Sequence, residues 1–519
     1  MIPPATLAVL AIMSPQALLA LGLLAYTLTI AIYRLTFHPL ANIPGPKLAA
    51  ITQLYQTFYC YYRNESRFYQ HIDHLHEQYG PVVRITPSEV SLNDPSNYGK
   101  IYHVGTKYYK AASYYRVFGA PAAFFTTIPN RLHAARRAPV NPFFSRRGVQ
   151  SLEPLVQEKA RVLVARLRRE LDTKGDCELH DLFSALSVDV ASEYAFDDCY
   201  GLLDAEGYGK AFAGMVRGVL RSFWFFMQSA TVEAVALRLP RWVSEINPAI
   251  KHYNALVDGT RQKVADTKKQ VDSGQARPLR RSIFHELLTT PMTQGDGDAS
   301  RPPSVDDMTD IALTIIVAAA AATGNALSMI AYHVLSNVEI RDGLRAELLE
   351  AFPDEHQPMQ WASLEKLPFL AAVIKEGLRL SYGVIGRLPR VVPEPGAVFN
   401  GHKIPAGSIV GMSSWTMHRT PSIFPDPDKF DPGRWMDPAA TRRLSPYLVS
   451  FGKDSRQCIG MPLAYCELYV TVATMFRSLG GDLEVHGTRP EDLVFEDYFS
   501  GYHPEKANPF RVRRVARQA

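Results

Sequence analysis

The stretch Phe451-Gly-Lys-Asp-Ser-Arg-Gln-Cys-Ile-Gly460 decides how the rest of the sequence is interpreted. Cys458 lies in a loop, and a helix is expected to begin near Met461. A thiolate just before a helix N-terminus is stabilised by free backbone N–H groups and by the positive end of the helix dipole. Gly460 leaves room for a flat ligand, and Arg456 offers a guanidinium suited to a carboxylate. An isolated cysteine is more often inert and buried, so the interpretation depends on what accompanies it.

Two charged motifs precede this loop. Lys375-Glu-Gly-Leu-Arg379 places Glu376 and Arg379 three residues apart, on one face of a helix. Phe430-Asp-Pro-Gly-Arg-Trp435 then supplies Arg434 in a proline-bounded loop. A Glu-x-x-Arg pair alone is usually a solvated surface pair. The order of all three motifs along one chain is much more specific.

Together these motifs resemble the cytochrome P-450 superfamily, most closely its membrane-bound fungal class of secondary metabolism. The resemblance covers essentially the whole chain and implies a mainly α fold with small β-sheets, a triangular helical haem domain preceded by a transmembrane helix. It implies haem b (iron protoporphyrin IX) as the cofactor and Cys458 as the axial iron ligand, a thiolate that favours O–O cleavage. It also implies that Glu376, Arg379 and Arg434 form a buried charge triad behind the haem.

The same resemblance implies residues for the haem propionates. His133-Ala-Ala-Arg-Arg137 resembles the helix that faces the haem edge, with His133 where the family often has Trp. His133, Arg137, Arg390 and Arg456 would then pair with the two propionates. Asp454 stands where most members have Gly, a substitution that the family pattern tolerates.

The segment from Ile311 to Tyr332 contains no charged residue. Ser304-Val-Asp-Asp307 before it has the pattern of a capping box. The segment is long enough to be a second membrane span. Its polar residues and its five consecutive alanines favour instead a long buried helix, against which a large flat group lies closely.

That helix departs from the family pattern. Aligned with the family's Ala-Gly-x-(Asp/Glu)-Thr-Thr box, residues 318–323 place Ala321 at the acid position and Ala322 at the alcohol position, with Thr323 one residue along. In the family those two groups relay protons to dioxygen, and such groups are worth about 10²–10⁴ in rate. Either protons come from water or from a substrate hydroxyl, or oxygen is not activated in the usual way.

The N-terminal segment predicts a membrane anchor. No charged side chain occurs from Ala5 to Tyr33, whereas Arg34 and Lys47 follow the apolar run. About 20 apolar residues cross a bilayer, and positive charges after the span place the remainder in the cytoplasm. A cleaved signal peptide would need a basic start, a shorter apolar run and a cleavage site of small residues.

The proline-rich Ile43-Pro-Gly-Pro-Lys47 then ends the helix and turns the chain. We therefore expect residues 1–40 to be the anchor with the start of the hinge, and residues 41–519 to be one haem-thiolate catalytic domain. The resemblance implies single-pass attachment to the endoplasmic reticulum membrane, with the catalytic domain cytosolic.

Composition excludes several classes of protein. A net charge of +5 over 519 residues does not argue for nucleic-acid binding, which needs a concentrated basic stripe. The five cysteines are odd in number and irregularly spaced, so neither a disulfide framework nor a zinc site is expected.

Local patterns predict mainly helices. Residues 151–171 and 339–350 have helical spacing, while Val82 to Thr86 and Val398 to Val410 are strand-like, the latter broken by Asn400-Gly401 as in a hairpin. By resemblance, the pocket is lined near Tyr114 to Phe125, Phe223 to Phe226, the alanines and Tyr382 to Ile385. This apolar set suits a terpenoid or polyketide. An aromatic run is more often core than pocket, and a contact of Phe223 to Phe226 with the membrane is the other alternative.

Three functions fit these features. The first is a monooxygenase that uses O₂ and electrons from NADPH, delivered by a flavoprotein NADPH-cytochrome reductase with cytochrome b5 as an optional second donor. The second is a redox-neutral isomerase, dehydratase or cyclase, which only the Ala321–Ala322 pair supports. The third is a haem-binding sensor or scaffold without turnover. We favour the monooxygenase.

Overall fold

Helices dominate the fold. The computed structural model describes residues 14–63, 66–226, 235, 238–274, 282–291, 303–354 and 357–515. The longer helices are α1 (Pro15–Ile32), α2 (Phe68–Tyr79), α3 (Asn130–Arg137), α4 (Arg146–Lys174), α5 (Leu179–Phe196), α6 (Lys210–Phe226), α7 (Pro248–Asp272), α8 (Val305–Ala319), α9 (Ala322–Leu335), α10 (Val338–Ala351), α11 (Pro368–Ser381) and α12 (Met461–Leu479). Shorter α-helical turns are Lys47–Ile51, Leu54–Phe58, Tyr98–Ile101, Ala112–Tyr115, Asn141–Phe144, Arg241–Ser244, Ile283–Leu287, Trp361–Leu364, Ser414–His418 and Pro438–Leu444. Turns of 3₁₀ or π type are Tyr33–Phe37, Tyr59–Arg63, Pro95–Asn97, Arg116–Phe118, Pro432–Trp435, Ser445–Tyr447 and Pro490–Leu493.

The strands are short and form small sheets, as the sequence predicts. They are β1 (Val82–Arg84), β2 (Glu89–Leu92), β3 (Tyr109–Lys110), β4 (Asp176–Glu178), β5 (Arg390–Val391), β6 (Ala397–Phe399), β7 (His402–Ile404), β8 (Ile409–Gly411), β9 (Leu483–His486), β10 (Glu496–Tyr498), β11 (Ser500–Tyr502) and β12 (Arg511–Arg514). The sheets have the orders β1-β2-β8-β5-β3, β4-β12-β9, β6-β7 and β10-β11. Asn400 and Gly401, with φ of +47° and +83°, form the predicted hairpin turn between β6 and β7.

The core lies where the long helices cross. α4 packs against α5 and α12, and α9 packs against α5 and α11. The predicted helices at 151–171 and 339–350 lie inside α4 and α10. At Gly377 of α11 an added Cβ would lie 2.1 Å from Cγ1 of Ile330, so α11 approaches α9 too closely for a side chain.

The apolar segment before residue 336 is not one continuous helix, contrary to expectation. α8 begins at the predicted capping box, in which Ser304 Oγ accepts the Asp307 N–H at 3.1 Å and the Asp307 carboxylate accepts the Ser304 N–H at 3.0 Å. α8 ends before Ala320–Ala321, where the helix is interrupted. A new helix, α9, begins at Ala322, and its first hydrogen bond runs from the Asn325 N–H to Ala321 O at 2.8 Å. Most of the segment is buried, as expected of a core helix rather than a span.

The break separates helices that are held by different neighbours. At Gly324 an added Cβ would lie 2.5 Å from Ser184 Oγ, so α9 is packed tightly onto α5. On α8, the Asp310 carboxylate accepts the Ala122 N–H at 2.9 Å and thereby binds a separate loop. Tertiary packing on both sides thus competes with the helical propensity of the alanines.

α1 stands apart from this core. Pro15–Phe37 is long and apolar enough to cross a membrane, and no residue of its most apolar stretch is buried against the rest of the protein. The helix is therefore compatible with the predicted anchor.

A buried arginine fastens the hinge after α1. Arg84 is 1% exposed, and its guanidinium donates to the carbonyls of Arg34 at 2.9 Å, Leu40 at 3.2 Å and Pro87 at 2.8 Å. The chain between α1 and β1 is thereby tied to the sheet.

Candidate functional site

The loop that carries Cys458 is closed by its own backbone. The Cys458 N–H donates to Phe451 O at 2.9 Å, and Gly452 turns the chain with a φ of +70°. α12 begins at Met461, as predicted, and the thiol accepts hydrogen bonds from the N–H groups of Gly460 and Met461. The helix N-terminus therefore points at the sulfur, where it favours a thiolate.

The Cys458 side chain is accessible, yet burial raises the pKa of its thiol, with the Gly460 N–H, Arg137 and the Met461 N–H acting in the opposite direction. On the helices across the break, Ala318 is exposed and Ala322 is half-buried. Accessible side chains on elements whose neighbouring residues are buried indicate an internal cavity rather than outer surface.

Five basic side chains gather near this loop: Lys110, His133, Arg137, Arg390 and Arg456. His133 is 3% exposed, and burial together with the charges of the other four lowers its pKa to about 2. Burial and Arg390 lower the pKa of Lys110 well below its ordinary value. Burial and Arg390 also lower the pKa of Arg456, to about 10. Such mutual repulsion between buried cations is typical of a site built for an anion.

Asp454 is the carboxylate that contacts two of these basic residues, Arg390 and Arg456. Its Oδ2 accepts from Arg390 Nη2 at 2.9 Å, with both side chains 3% exposed, and its Oδ1 accepts the Arg456 N–H at 2.8 Å. Burial lowers the pKa of Arg390, but the neighbouring Tyr115 and Asp454 raise it by more, so the pKa of Arg390 lies above its ordinary value. Three arginines and one lysine thus lie near one carboxylate. A ligand with two carboxylates, together with a cysteine thiolate, would neutralise the excess, so these residues fit a haem.

Backbone carbonyls hold two of these arginines in place. Arg137 Nη1 donates to Gln457 O at 2.6 Å, and Arg456 donates to the carbonyls of Thr127 at 2.5 Å and Ile128 at 2.6 Å. These contacts join α3 and the loop before it to the cysteine loop. The structure therefore brings together all four residues that the sequence analysis assigned to the propionates; that assignment stays a prediction.

Glu376, Arg379 and Arg434 lie together as the sequence predicts. Arg379 donates to the Glu376 carboxylate through Nε at 2.9 Å and through Nη2 at 2.7 Å, and both side chains are fully buried. Arg434 Nε adds a contact at 3.3 Å, and Trp435 Nε1 adds one at 2.8 Å. The carboxylate is thus surrounded by donors, which makes this network part of the core.

Thr323 points toward α12. Its hydroxyl lies close enough to the carboxyl of Glu467, which is 1% exposed, to lower the pKa of that carboxyl. Ala321 is 3% exposed, and Ala322 begins α9. The two positions that the sequence analysis aligned with the family's acid and alcohol therefore hold methyl groups, and the neighbouring Thr323 hydroxyl lies near a buried carboxyl.

Aromatic side chains surround the break. Tyr114 and Tyr115 belong to the same buried cluster as Ala320 and Ala321, which agrees with the expected pocket wall. Tyr382, expected there as well, belongs to the largest core cluster and packs against Trp415 with ring centroids 4.9 Å apart. The side chains of Phe223 to Phe226 lie outside the described residues.

The tip of the β10–β11 hairpin adds an aromatic residue that the sequence analysis missed. The Phe499 ring lies 5.3 Å from the rings of both Phe118 and Phe125, edge to face. Phe499 has a φ of +77° and donates its N–H to the buried Asp497 carboxylate at 3.0 Å. A positive φ at a bulky residue is uncommon, so the hairpin holds this ring against the aromatic group at the cost of backbone strain.

Two charged residues were also missed. Lys110 is buried on β3, where its ammonium donates to Phe125 O at 2.6 Å and lies 4.2 Å from the Tyr115 ring centroid. Glu467 lies on an otherwise apolar face of α12. For Glu467, a lone charged residue within an apolar run was the available signal, whereas Lys110 lies between Lys107 and Arg116 and carries no such signal. Within the described ranges, no three His, Cys, Asp or Glu side chains form a metal-binding group.

Comparison with known proteins agrees with this arrangement. The cytochrome P-450 family pattern matches residues 48–498. The cytochrome P-450 monooxygenase tpcC of Cochliobolus heterostrophus is 34% identical over 95% of this chain and 96% of its own. The N-acetyltryptophan 6-hydroxylase ivoC of Emericella nidulans is 34% identical over 96% of both chains. The crystal structure of the cytochrome P-450DA heme domain superposes with a TM-score of 0.71 at 16% identity, over 91% of this chain and 97% of its own, and shows the fold. The chain belongs to the cytochrome P-450 family and is a haem-thiolate oxidoreductase of the monooxygenase type.

Proposed function

We propose that this chain is a haem b monooxygenase that inserts one atom of O₂ into an apolar small molecule of fungal secondary metabolism. Electrons come from NADPH through a flavoprotein reductase, with cytochrome b5 as an optional second donor. The observation that carries the proposal is Cys458: its accessible sulfur lies before the N-terminus of α12, beside an excess of buried positive charge.

This chain's own residues would bind and orient the cofactor. Cys458 would be the axial iron ligand, and its thiolate would be stabilised by the two N–H groups that already point at the sulfur. His133, Arg137, Arg390 and Arg456 would hold the propionates. When bound, the haem supplies the activation of dioxygen. The buried Glu376 network would keep the fold rigid behind it.

Lys110 extends the proposed propionate group. Its ammonium is fully buried, with a carbonyl and two aromatic rings as its contacts, and its pKa is lowered by burial and by Arg390. A buried ammonium is costly unless an anion compensates it. A propionate nearby would offset this cost and favour the charged form of this lysine.

The substrate would meet a mostly aromatic wall. Phe118, Phe125 and Phe499 form an edge-to-face group, and Tyr114 packs beside it. Aromatic surfaces of this kind bind apolar, and particularly flat, ligands. Three relatives whose names refer to tryptophan, N-acetyltryptophan and conidiogenone are equally identical in sequence to this chain. The terpenoid or polyketide class is therefore supported by the apolar wall and not by any single relative.

Attachment to the endoplasmic reticulum membrane is part of the proposal. Residues 1–40 would be a single-pass anchor and hinge, and residues 41–519 would form a cytosolic catalytic domain. Beyond the hinge, Leu54 is 70% exposed and Tyr62 is 81% exposed, and Trp242 in another segment is 72% exposed. Apolar side chains left in water favour a second contact with lipid.

The alternative function is a redox-neutral isomerase, dehydratase or cyclase. The observation in its favour is that Ala321 and Ala322 leave the distal helix without an acid and an alcohol. Such a reaction would need neither NADPH nor O₂.

Labelled dioxygen separates the two functions. The full-length protein would be incubated under ¹⁸O₂, with and without reductase and NADPH, with substrates made by co-expressing the neighbouring biosynthetic enzymes. We expect one ¹⁸O atom in the product, and only when reductase is present. Conversion without reductase, or a product without label, would overturn the monooxygenase.

A further inference from the structure

Glu467 is a buried carboxyl that belongs neither to the cysteine loop nor to the group of residues assigned to the propionates. It lies on α12, is 1% exposed, and receives a hydrogen bond from Ser187 Oγ on α5 at 2.9 Å. The hydroxyl of Thr323, the second residue of α9, lies near the same carboxyl and lowers its pKa. One side chain therefore joins three helices directly behind the Ala320–Ala321 break.

The surroundings keep this carboxyl neutral. Burial raises the pKa of Glu467 to about 8, and the hydrogen bonds from Ser187 and Thr323 oppose that shift only in part. A protonated carboxyl is a hydrogen-bond donor as well as an acceptor. At neutral pH the side chain thus stores a proton that it can exchange with a neighbouring hydroxyl.

Unused hydrogen-bonding groups continue from this carboxyl along α5 and α9. Ser184 Oγ and Asn325 Oδ1 are buried without a partner in the part of the chain that the structure describes. Further along the same interface, His180 Nδ1 lies 3.0 Å from Ser328 Oγ. Buried polar groups are normally satisfied by protein or by ordered water. The α5–α9 interface is thus a polar track within an otherwise apolar core.

We propose that Glu467 supplies protons to the distal cavity through Thr323, in place of the acid and alcohol that are absent at Ala321 and Ala322. The Thr323 hydroxyl releases its proton beside Ala322 and takes the carboxyl proton of Glu467. Solvent then returns a proton to Glu467 along the track. Because protons are consumed when dioxygen is reduced, this inference rests on the proposed monooxygenase function.

Dioxygen reduction without substrate gives a direct measurement. Superoxide needs one electron and no proton, hydrogen peroxide needs two electrons and two protons, and water needs four of each per O₂. The holoenzyme with reductase and NADPH would be assayed for all three products. In Glu467→Gln and Thr323→Val, we expect the ratio of peroxide plus water to superoxide to fall on the order of 10²-fold, the lower end for a lost proton-transfer group.

Conservative variants distinguish a role of Glu467 and Thr323 in proton transfer from a purely structural role in holding the helices together. Thr323→Ser keeps the hydroxyl and should restore the wild-type ratio. Glu178→Gln changes a half-buried carboxyl whose pKa burial also raises to about 8, and it should leave the ratio unchanged. Equal haem content and an equal spectrum of the carbon monoxide complex would verify folding.

Infrared spectroscopy tests the stored proton independently of turnover. Wild type at pH 7 should show a carboxylic-acid carbonyl band that Glu467→Gln removes and Thr323→Val shifts. An unchanged product ratio in Glu467→Gln, a missing band, or no rescue by Thr323→Ser would overturn the relay. Failure of the monooxygenase is recognised separately, by the absence of ¹⁸O from the product of the wild-type enzyme.

Discussion

Replacing Glu376 with alanine removes the carboxylate on which five donors converge. Arg379 contributes two of them, at 2.9 and 2.7 Å, and Arg434 and Trp435 contribute one each at 3.3 and 2.8 Å. The backbone N–H of Asp431 completes the set at 3.0 Å. With both Glu376 and Arg379 fully buried, the alanine variant leaves a guanidinium without its counter-ion in the core.

The expected loss follows from what remains around Arg379. Its guanidinium keeps the carbonyls of His418 at 3.0 Å, Pro427 at 2.6 Å and Lys429 at 2.9 Å, so the hydrogen bonds survive in part while the charge is unpaired. Breaking a buried pair in this way costs about 3–5 kcal/mol. A folded domain has only about 5–15 kcal/mol in total, so little holoprotein should accumulate.

The assay is the amount of haem per protein together with the urea midpoint of detergent-solubilised protein. Glu376→Gln keeps oxygen and nitrogen in place but loses the charge, and should be intermediate. Glu365→Ala is the matched control, because Glu365 pairs with Arg146 at an exposed site, where a pair is worth about 0–1 kcal/mol. Normal haem content and an unchanged midpoint in Glu376→Ala would refute the reasoning.

Four further outcomes are expected. Cys458→Ser should abolish the far-red-shifted Soret band of the reduced carbon monoxide complex, because that band needs a thiolate; a retained band would remove Cys458 from the iron. Deleting residues 1–40 should release the protein from membranes only in part, since exposed apolar side chains remain; carbonate and salt washes measure this, and full solubility would contradict a second lipid contact. Burial raises the pKa of Glu467 from 4.5 to about 8, so between these two pH values the folded protein keeps a proton that the unfolded chain has lost. The free energy of unfolding should therefore fall as pH rises from 4.5 to about 8, on the order of 1 kcal/mol per pH unit. Glu467→Gln should flatten this dependence in urea titrations, and an equally steep curve would count against the shift. Adding Ala321→Asp and Ala322→Thr to Glu467→Gln should recover the proton-consuming products, and no recovery would show that those positions do not face the cavity.

The sequence predicts best the features that local spacing controls. Glu376 and Arg379 share a helix face because they are three residues apart, and Cys458 precedes a helix because an apolar periodic run follows Gly460. Lys110 and Glu467 acquire their character from tertiary contacts. Lys110 is buried by Phe125 and Tyr115, and Glu467 meets Ser187 some 280 residues earlier. No local pattern indicates such contacts.

The break at Ala320–Ala321 escapes prediction for a different reason. Alanine has the highest helical propensity, so five in succession predict an unbroken helix. The structure interrupts them because α9 is packed onto α5 at Gly324 while α8 is fixed elsewhere through Asp310. The break is a tertiary effect, and it occurs next to the two positions where the family's proton-relay residues are replaced.

Asp454 illustrates how a tolerated substitution redistributes charge at the site. By resemblance, glycine is usual at this position, and glycine would leave Arg390 without this carboxylate. Here Asp454 accepts from Arg390 at 2.9 Å while its other oxygen holds the Arg456 N–H. Since cations are in excess, the added carboxylate relieves repulsion rather than creating it. The charge of Arg390 is thereby compensated within the protein, whereas the side chains of Lys110, Arg137 and Arg456 donate hydrogen bonds to uncharged oxygens. These three side chains are therefore the ones on which an anionic cofactor would depend most strongly.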